Sequence, residues 1–332
     1  MDPKIAALIN DDILAAARQR YDIAPGRLKL LDGFESFIYE FSRPDGDFVL
    51  RLCHSRRRSP ELIHGEVDWI NYLARGGAGV ARAVLSEAGN LVEAVDDGRG
   101  GQFLCTAFVR APGGEVQREQ RDEKFFHTYG CLLGRMHALA KTYVLPDPAW
   151  KRPEWDDPVN MYADLWMPEK YAHFMPKYRQ LMAHLTRLPR HPDGYGMIHQ
   201  DAHTGNFFVD EDGNITFFDF DDCVYGHFVY DLATVMFYTV GMEEDPAAFI
   251  GRFAPAFFQG YREENRLEAG WLEEIPFFLK LREIDLFAEI LFADGEDPAH
   301  PWSRRYMRGR RERIEDDVPF IDFDWESLAA YL

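Results

Sequence analysis

The stretch Ile198-His199-Gln200-Asp201-Ala202-His203-Thr204-Gly205-Asn206 sets polar side chains between apolar runs. After the turn Asp210-Glu211-Asp212-Gly213-Asn214 comes Ile215-Thr216-Phe217-Phe218-Asp219-Phe220-Asp221-Asp222. Polar residues embedded in this way are costly unless they bind something. His199, Asp201 and Asn206 have the spacing H-x-D-x-x-x-x-N, and Asp219 opens a D-F-D element 18 residues after Asp201. The order and spacing suit phosphoryl transfer, which needs one carboxylate beside an acceptor hydroxyl and oxygen ligands holding a divalent cation across nucleotide phosphates. In that scheme Asp201 is the catalytic base, and Asn206 and Asp219 hold Mg2+ from opposite strands of one hairpin over residues 196–220. Asp201, Asp219, Asp221 and Asp222 would repel one another, and that repulsion asks for a cation.

The elements that must position these residues fall into two parts. From Phe34 to Phe108 the pattern is a small sheet of about five strands with one helix. Phe37, Tyr39 and Phe41 alternate with polar or outward residues, Arg43-Pro44-Asp45-Gly46 supplies a turn, and Phe48, Leu50 and Leu52 resume the alternation, so Arg51 points to the opposite face. Ser59-Pro60-Glu61 starts a helix that Gly76-Gly77 ends. On it Glu66 falls within the apolar arc of Leu62, Ile63, Val67, Trp69, Ile70 and Leu73, and a carboxylate there requires a partner. Val109 to Gly114 breaks the pattern, and the remainder reads as mainly helical. Phe125 to Leu139 forms an amphipathic stripe, and Phe228 to Val240 and Phe277 to Phe292 are apolar almost all round. The fold class is α+β, with an N-terminal nucleotide-binding lobe over residues 1–110 and a larger catalytic and substrate-binding lobe over 111–332.

Through HQDAHTGN, FFDFDD and YDLATVMFY the chain resembles the aminoglycoside phosphotransferase and choline kinase-like family, the small-molecule branch of the protein-kinase-like fold, from about Leu31 to Leu291. The resemblance implies a two-lobed architecture and transfer of the γ-phosphate of ATP or GTP, with Mg2+, to a hydroxyl of a small molecule. It implies the base at Asp201, metal ligands at Asn206 and Asp219, and a bracing role for Asp231; a helix N-cap is the simpler alternative for Asp231. Arg51 stands where the family carries a phosphate-contacting lysine, and Glu66 matches its helix partner. Gly33-Phe34-Glu35-Ser36 replaces the glycine-rich loop, with Ser36 closing it, and Val109 and Ala111 would present backbone groups to the nucleotide base.

Other residues carry weaker signals. His199 is expected to fix the loop, and His203 faces phosphate or substrate or else packs the loop. Asp221, with Arg282, Asp285 and Glu289 in one sector of an otherwise apolar helix, are candidate substrate contacts. His137 reads as a hydrogen-bonded core histidine. Trp155, Asp156, Asp157, Tyr162, Asp164 and Trp166 belong either to the acceptor site or to packing, and the arginines from Arg304 to Arg313 read as a solvated helix face.

Lysine and arginine total 37 against 56 acids, a net charge of −19, which disfavours a polyphosphate partner such as nucleic acid and suits a cationic or metal-bridged ligand. No apolar run is long enough to span a membrane. The N-terminal 21 residues read as an amphipathic helix interrupted by Asp11 and Asp12, and the four scattered cysteines suggest neither a zinc site nor disulfides, so the expected location is cytoplasmic and the expected state a monomer or homodimer. A protein serine/threonine kinase is the alternative within the same fold, disfavoured by the gap of 12 residues between Asp219 and Asp231. A nucleotide-binding pseudokinase and a dinuclear metallohydrolase complete the alternatives.

Overall fold

The structure, a computed structural model, describes residues 3–31, 33, 35–241 and 243–332. Phe34 of the expected nucleotide loop, and Met1 and Asp2 of the expected N-terminal helix, lie outside the described residues. The strands are β1 (Lys29–Leu31), β2 (Phe37–Arg43), β3 (Gly46–His54), β4 (Ala83–Val84), β5 (Glu93–Asp96), β6 (Gln102–Val109), β7 (Tyr195–Ile198), β8 (Phe207–Val209), β9 (Ile215–Phe217) and β10 (Val224–His227). The helices are α1 (Pro3–Ala6), α2 (Asp11–Arg20), α3 (Pro60–Arg75), α4 (Glu123–Ala140), α5 (Tyr162–Trp166), α6 (Met175–Leu185), α7 (Phe228–Val240), α8 (Pro246–Glu264), α9 (Ile275–Asp294), α10 (Pro301–Met307) and α11 (Arg310–Glu315), with short 3-10 turns between some of them.

The chain divides into two compact units. One comprises Met1–Gly114, Tyr143–Arg152 and Phe207–Asp221; the other comprises Glu115–Thr142, Pro153–Asn206 and Asp222–Leu332. The division therefore falls after Gly114, not after residue 110, and the chain returns twice to the first unit. Backbone pairing explains the returns. Gly114 and Val209 exchange hydrogen bonds (3.2 and 2.9 Å), Ala81 donates to the Phe217 carbonyl (2.8 Å), and Arg152 donates to the carbonyls of Leu62 (3.1 Å) and Asp221 (2.5 Å).

Among the described residues the first unit holds an antiparallel sheet of six strands, one more than the sequence suggests, in the order β1-β2-β3-β6-β4 with β5 also on β6. β1 is short and largely exposed, so it carries no alternation to read. The expected hairpin forms with Arg43 opposite Gly46. Period-two alternation along β3 then sends Phe48, Leu50 and Leu52 to a core shared with Ile13, Ala17 and Tyr21 of α2, while Cys53 joins Ile63 and Val67 of α3 on the other face. Arg51 lies on the α3 side for the same reason. Ser59 caps α3 by accepting from Leu62 N (3.3 Å), with Pro60 at the first position and Gly76 at the end. At the N-terminus Asp11 and Asp12 start a helix and do not interrupt one: Asn10 accepts from Ile13 N (3.0 Å), and the two acids sit in the first turn of α2, where the helix dipole favours them.

In the second unit α7 and α9 are buried almost all round, as the sequence suggests. The single hairpin expected over residues 196–220 is replaced by two separate ladders, because β7 pairs with β10 (Ile198 opposite Val224) and β8 pairs with β9. Within the arginine run, Arg310 turns inward: with Lys280 it neutralises the fully buried Glu283 (2.5 and 2.6 Å).

Helices α4 and α8 meet at backbone contact through glycines. A Cβ at Gly130 would lie 1.9 Å from the Phe257 carbonyl oxygen, and one at Gly260 would lie 2.0 Å from that of His127. Neither neighbour is a flexible side-chain end, so the crossing excludes alanine. Gly130→Ala is expected to cost about 2–3 kcal/mol despite the better helix propensity of alanine. A lowered urea midpoint at unchanged slope would show this, with Gly270→Ala, where nothing lies within 4 Å, as the neutral control.

Candidate active site

The second unit carries the H-x-D-x-x-x-x-N segment that leaves β7. Asp231, four residues into α7 and fully buried, accepts the backbone N–H of Gln200 on Oδ1 (2.7 Å) and that of His199 on Oδ2 (2.9 Å). It is therefore not a helix N-cap but a bracket for the loop. His137 of α4 adds a third contact to Asp231 (3.2 Å) while its other ring nitrogen meets the Tyr261 hydroxyl (2.8 Å), which makes it the core histidine the sequence suggests. Tyr129 donates to the Ala202 carbonyl (2.5 Å). Gln200, between the two anchors, has φ +68°, a left-handed conformation costly for its side chain and held by these bonds.

Asp201 emerges from that bend. Its Oδ1 meets Arg282 of α9 (3.0 Å); its Oδ2 meets the Asn206 amide (3.0 Å) and His203 Nε2 (3.2 Å). Burial pushes its carboxyl up, but His203 and then Arg282 outweigh burial and hold it well below the usual carboxylate range. Asn206 spends its amide N–H on the Asp201 carbonyl (2.9 Å) and carboxylate, which leaves its Oδ1 as the atom fit for a cation. Arg282 also donates to the Tyr238 hydroxyl, and its guanidinium lies over the Tyr238 ring, 5.3 Å from the ring centre.

On the following turns of α9, Asp285 accepts from Ala163 N of α5 (3.0 Å) and is buried. One oxygen of this candidate substrate contact is therefore used in holding α5. Glu289 is half-buried, and among the described residues it makes no hydrogen bond or ion pair; burial raises its carboxyl, Arg282 lowers it, and Asp222 and Asp201 raise it further. Tyr162 feels the same Asp222, Arg282 and Glu289. From the aromatic and acidic insert, Trp155 is core, Asp156 pairs with Arg190 (2.5 Å), and Tyr162 stacks on Trp166 (4.7 Å).

The first unit holds the buried pair that the Glu66 pattern requires. Arg51 donates twice to Glu66 (2.7 and 2.6 Å), a bidentate geometry in which each charge satisfies the other. Asp221, a candidate substrate contact from the sequence, is buried and its carboxylate takes Arg57 (2.5 Å) and Arg58 (3.1 Å), with Arg51 at 3.9 Å. Burial would raise its carboxyl, but Arg58, Arg57, Arg51 and Arg152 outweigh that and hold it low. Arginines, not a cation, therefore answer this member of the aspartate cluster, and the argument from mutual repulsion fails for it. Arg57, Arg58 and Arg152 were not singled out from the sequence; the run Arg56-Arg57-Arg58 was the available signal.

Asp219 has φ +60°, one of the few non-glycine residues in that region. Ser36 is buried ahead of β2, and Arg57 pairs with Glu35 beside it. A Cβ at Gly33 would lie 2.4 Å from the Ser36 carbonyl oxygen, so this bend demands glycine. The N–H of Val109 is spent on Arg82 O (2.9 Å) and that of Arg110 on Asp47 O (3.0 Å), which removes the Val109 donor from the expected base-binding set; Ala111 is buried.

A two-lobed α+β fold with a bracketed H-x-D-x-x-x-x-N loop defines a phosphotransferase of the small-molecule kinase class. Residues 28–271 match the model of the phosphotransferase enzyme family, and the chain belongs to that family. It is 37% identical to amicoumacin kinase of Bacillus subtilis (strain 168) over 327 residues, 96% of each chain. A solved amicoumacin kinase in complex with AMP-PNP, Ca2+ and Ami superposes with a TM-score of 0.93 at 33% identity, covering 99% of this chain and 100% of that one. A microcompartment-associated aminopropanol kinase shares the fold, with a TM-score of 0.74 at 22% identity over 93% of this chain and 98% of that one. No helix among the described residues is long and apolar enough to cross a membrane.

Burial pushes the Asp285 carboxyl up from 3.8 to about 7. Between those values the folded chain keeps a proton that the unfolded chain releases, so this group's contribution favours folding at acid pH and is lost as pH rises toward 7. Asp285→Asn keeps the acceptor for Ala163 and removes the charge. Thermal melts from pH 5 to 8 should show the variant gaining stability relative to the parent as pH rises; parallel curves would contradict the buried, protonated carboxyl.

Proposed function

We propose that the chain transfers the γ-phosphate of ATP, with a divalent cation such as Mg2+, to a hydroxyl of a small molecule that carries a positive charge. The observation that carries this reading is the Asp201 carboxylate, fixed from three sides by Arg282, Asn206 and His203 on a loop bracketed by Asp231. A carboxylate held so low is a weak base. Its first task is to accept a hydrogen bond from the acceptor hydroxyl and aim its oxygen at phosphorus; the proton passes to Asp201 only as the new P–O bond forms and the hydroxyl becomes acidic. The bond to the ADP leaving oxygen breaks in the same step.

Asn206, through its Oδ1, and Asp219 would be the oxygen ligands for a divalent cation, and the chemistry that ion would supply is neutralisation of the phosphate charge. In this reading Ser36, Arg51, Val109 and Ala111 belong to the nucleotide side, with Glu66 fixing Arg51. Arg51 is sheathed by Glu66, so phosphate contact falls more readily to the partly exposed Arg57 and Arg58. His199 supports the loop through its backbone N–H.

Glu289 is half-buried, is influenced by Asp201 and Arg282, and makes no hydrogen bond or ion pair among the described residues; a carboxylate so placed favours an ammonium-bearing acceptor. Kinship with amicoumacin kinase makes amicoumacin the first acceptor to test, and AMP-PNP with Ca2+ on the solved relative supports a nucleoside triphosphate and a divalent ion.

ADP release should depend on both Mg2+ and acceptor, and mass spectrometry should find one phosphoryl group on the acceptor. Asp201→Asn is expected to lower kcat by about 10²–10⁴-fold. Glu289→Gln should raise KM for an amino alcohol more than for its des-amino analogue. Undiminished turnover in Asp201→Asn would overturn the assignment, and equal effects on both acceptors would overturn the charge argument.

A further inference from the structure

The glycine crossing of α4 and α8 brings together three metal-ligating side chains that the phosphotransferase chemistry does not use. His127 and Cys131 stand four residues apart on α4 and therefore project from one face, toward Glu263 near the end of α8. His127 Nδ1 lies 3.5 Å from Cys131 Sγ, Cys131 Sγ lies 3.8 Å from Glu263 Oε2, and His127 Nε2 lies 3.0 Å from Glu263 Oε1. One ligand atom from each falls within 4.8 Å of the others.

We infer that His127, Cys131 and Glu263 form a binding site for a borderline divalent transition-metal ion, Zn2+ being the best match. Zn2+ takes thiolate sulfur at about 2.3 Å and imidazole nitrogen or carboxylate oxygen at about 2.0–2.2 Å in a tetrahedron. Those lengths place the ligand atoms about 3.4–3.6 Å apart along its edges, close to the sulfur-to-nitrogen and sulfur-to-oxygen separations already present. Water completes the fourth position, since the neighbouring Glu264 is paired with Arg135 (3.4 Å). Mixed sulfur and nitrogen donors separate this site from the all-oxygen set of Asn206 and Asp219, which suits Mg2+. On binding, the Sγ–H bond breaks, a metal–sulfur bond forms, and the proton leaves to solvent.

The ion would staple two helices that carry Tyr129, His137 and Tyr261, the side chains behind the Asp201 loop. Its readout is therefore stability, independent of the catalytic reading.

The test uses the full chain, stripped of metal and free of nucleotide, titrated with Co2+ and with Zn2+. Co2+ should give a sulfur-to-cobalt charge-transfer band in the near ultraviolet at one equivalent, and Zn2+ should displace it and raise the melting temperature. Cys131→Ala should lose the band, and His127→Ala and Glu263→Gln should weaken binding at least tenfold, while Asp219→Asn keeps the band. Because Cys53, Cys105 and Cys223 are buried, a surviving band in Cys131→Ala would overturn the site. Absence of any band in the parent chain, or a Zn2+ effect on melting that Cys131→Ala retains in full, would do so equally.

Discussion

One buried carboxylate organises the H-x-D-x-x-x-x-N loop. Asp231 has no exposed surface, yet it takes two consecutive backbone N–H groups and one imidazole, so its charge is met entirely by donors fixed in the structure. Without those donors the burial would cost several kcal/mol; with them it fixes the left-handed bend at Gln200 from which Asp201 projects. The remaining supports converge on the same bend. Tyr129 holds the far side at Ala202, and Tyr261 and His137 link the bracket to the α4–α8 crossing, where glycines permit backbone contact. Packing at that crossing thereby bears on the position of the Asp201 carboxylate, which the proposed reaction needs pre-organised.

Charge compensation follows a second pattern: four further acids find an arginine. Glu66 has Arg51, Asp221 has Arg57 and Arg58, Asp201 has Arg282, and Glu283 has Arg310. The net charge of −19 is therefore not concentrated at the motif, as the aspartate count there suggests. The proposed preference for a cationic acceptor rests instead on Glu289, which makes no hydrogen bond or ion pair among the described residues.

Much of this was legible because it is local or periodic. The H-x-D-x-x-x-x-N spacing, the Ser59-Pro60 helix start, the inward Glu66 and the two all-apolar helices follow from short-range rules that tertiary packing leaves intact. Periodicity put Glu66 inward and so in need of a partner, while the pairing with Arg51 was implied by the family resemblance and not by the pattern. What escaped was non-local. Nothing short of the fold tells that β7 prefers β10 to its neighbour in sequence, that residues 143–152 and 207–221 rejoin the first unit, or that three arginines upstream answer Asp221. Arg282 and Asp285 were singled out as polar residues on an apolar helix, which was sound. Their partners, Asp201 and the Ala163 backbone, are 81 and 122 residues away in the chain and leave no trace in periodicity.

The measurement that bears most directly on the account is the turnover of Asp231→Asn, which keeps the shape of the bracket but replaces one acceptor oxygen with a donor facing a backbone N–H. With the fold verified by circular dichroism, acceptor-dependent ADP release should fall by about 10²-fold or more, as expected when a reacting group is displaced by a fraction of its bonding distance. Nucleotide affinity should stay near that of the parent. Turnover equal to the parent in a folded Asp231→Asn chain would show that the bracket does not position Asp201 and would contradict the account.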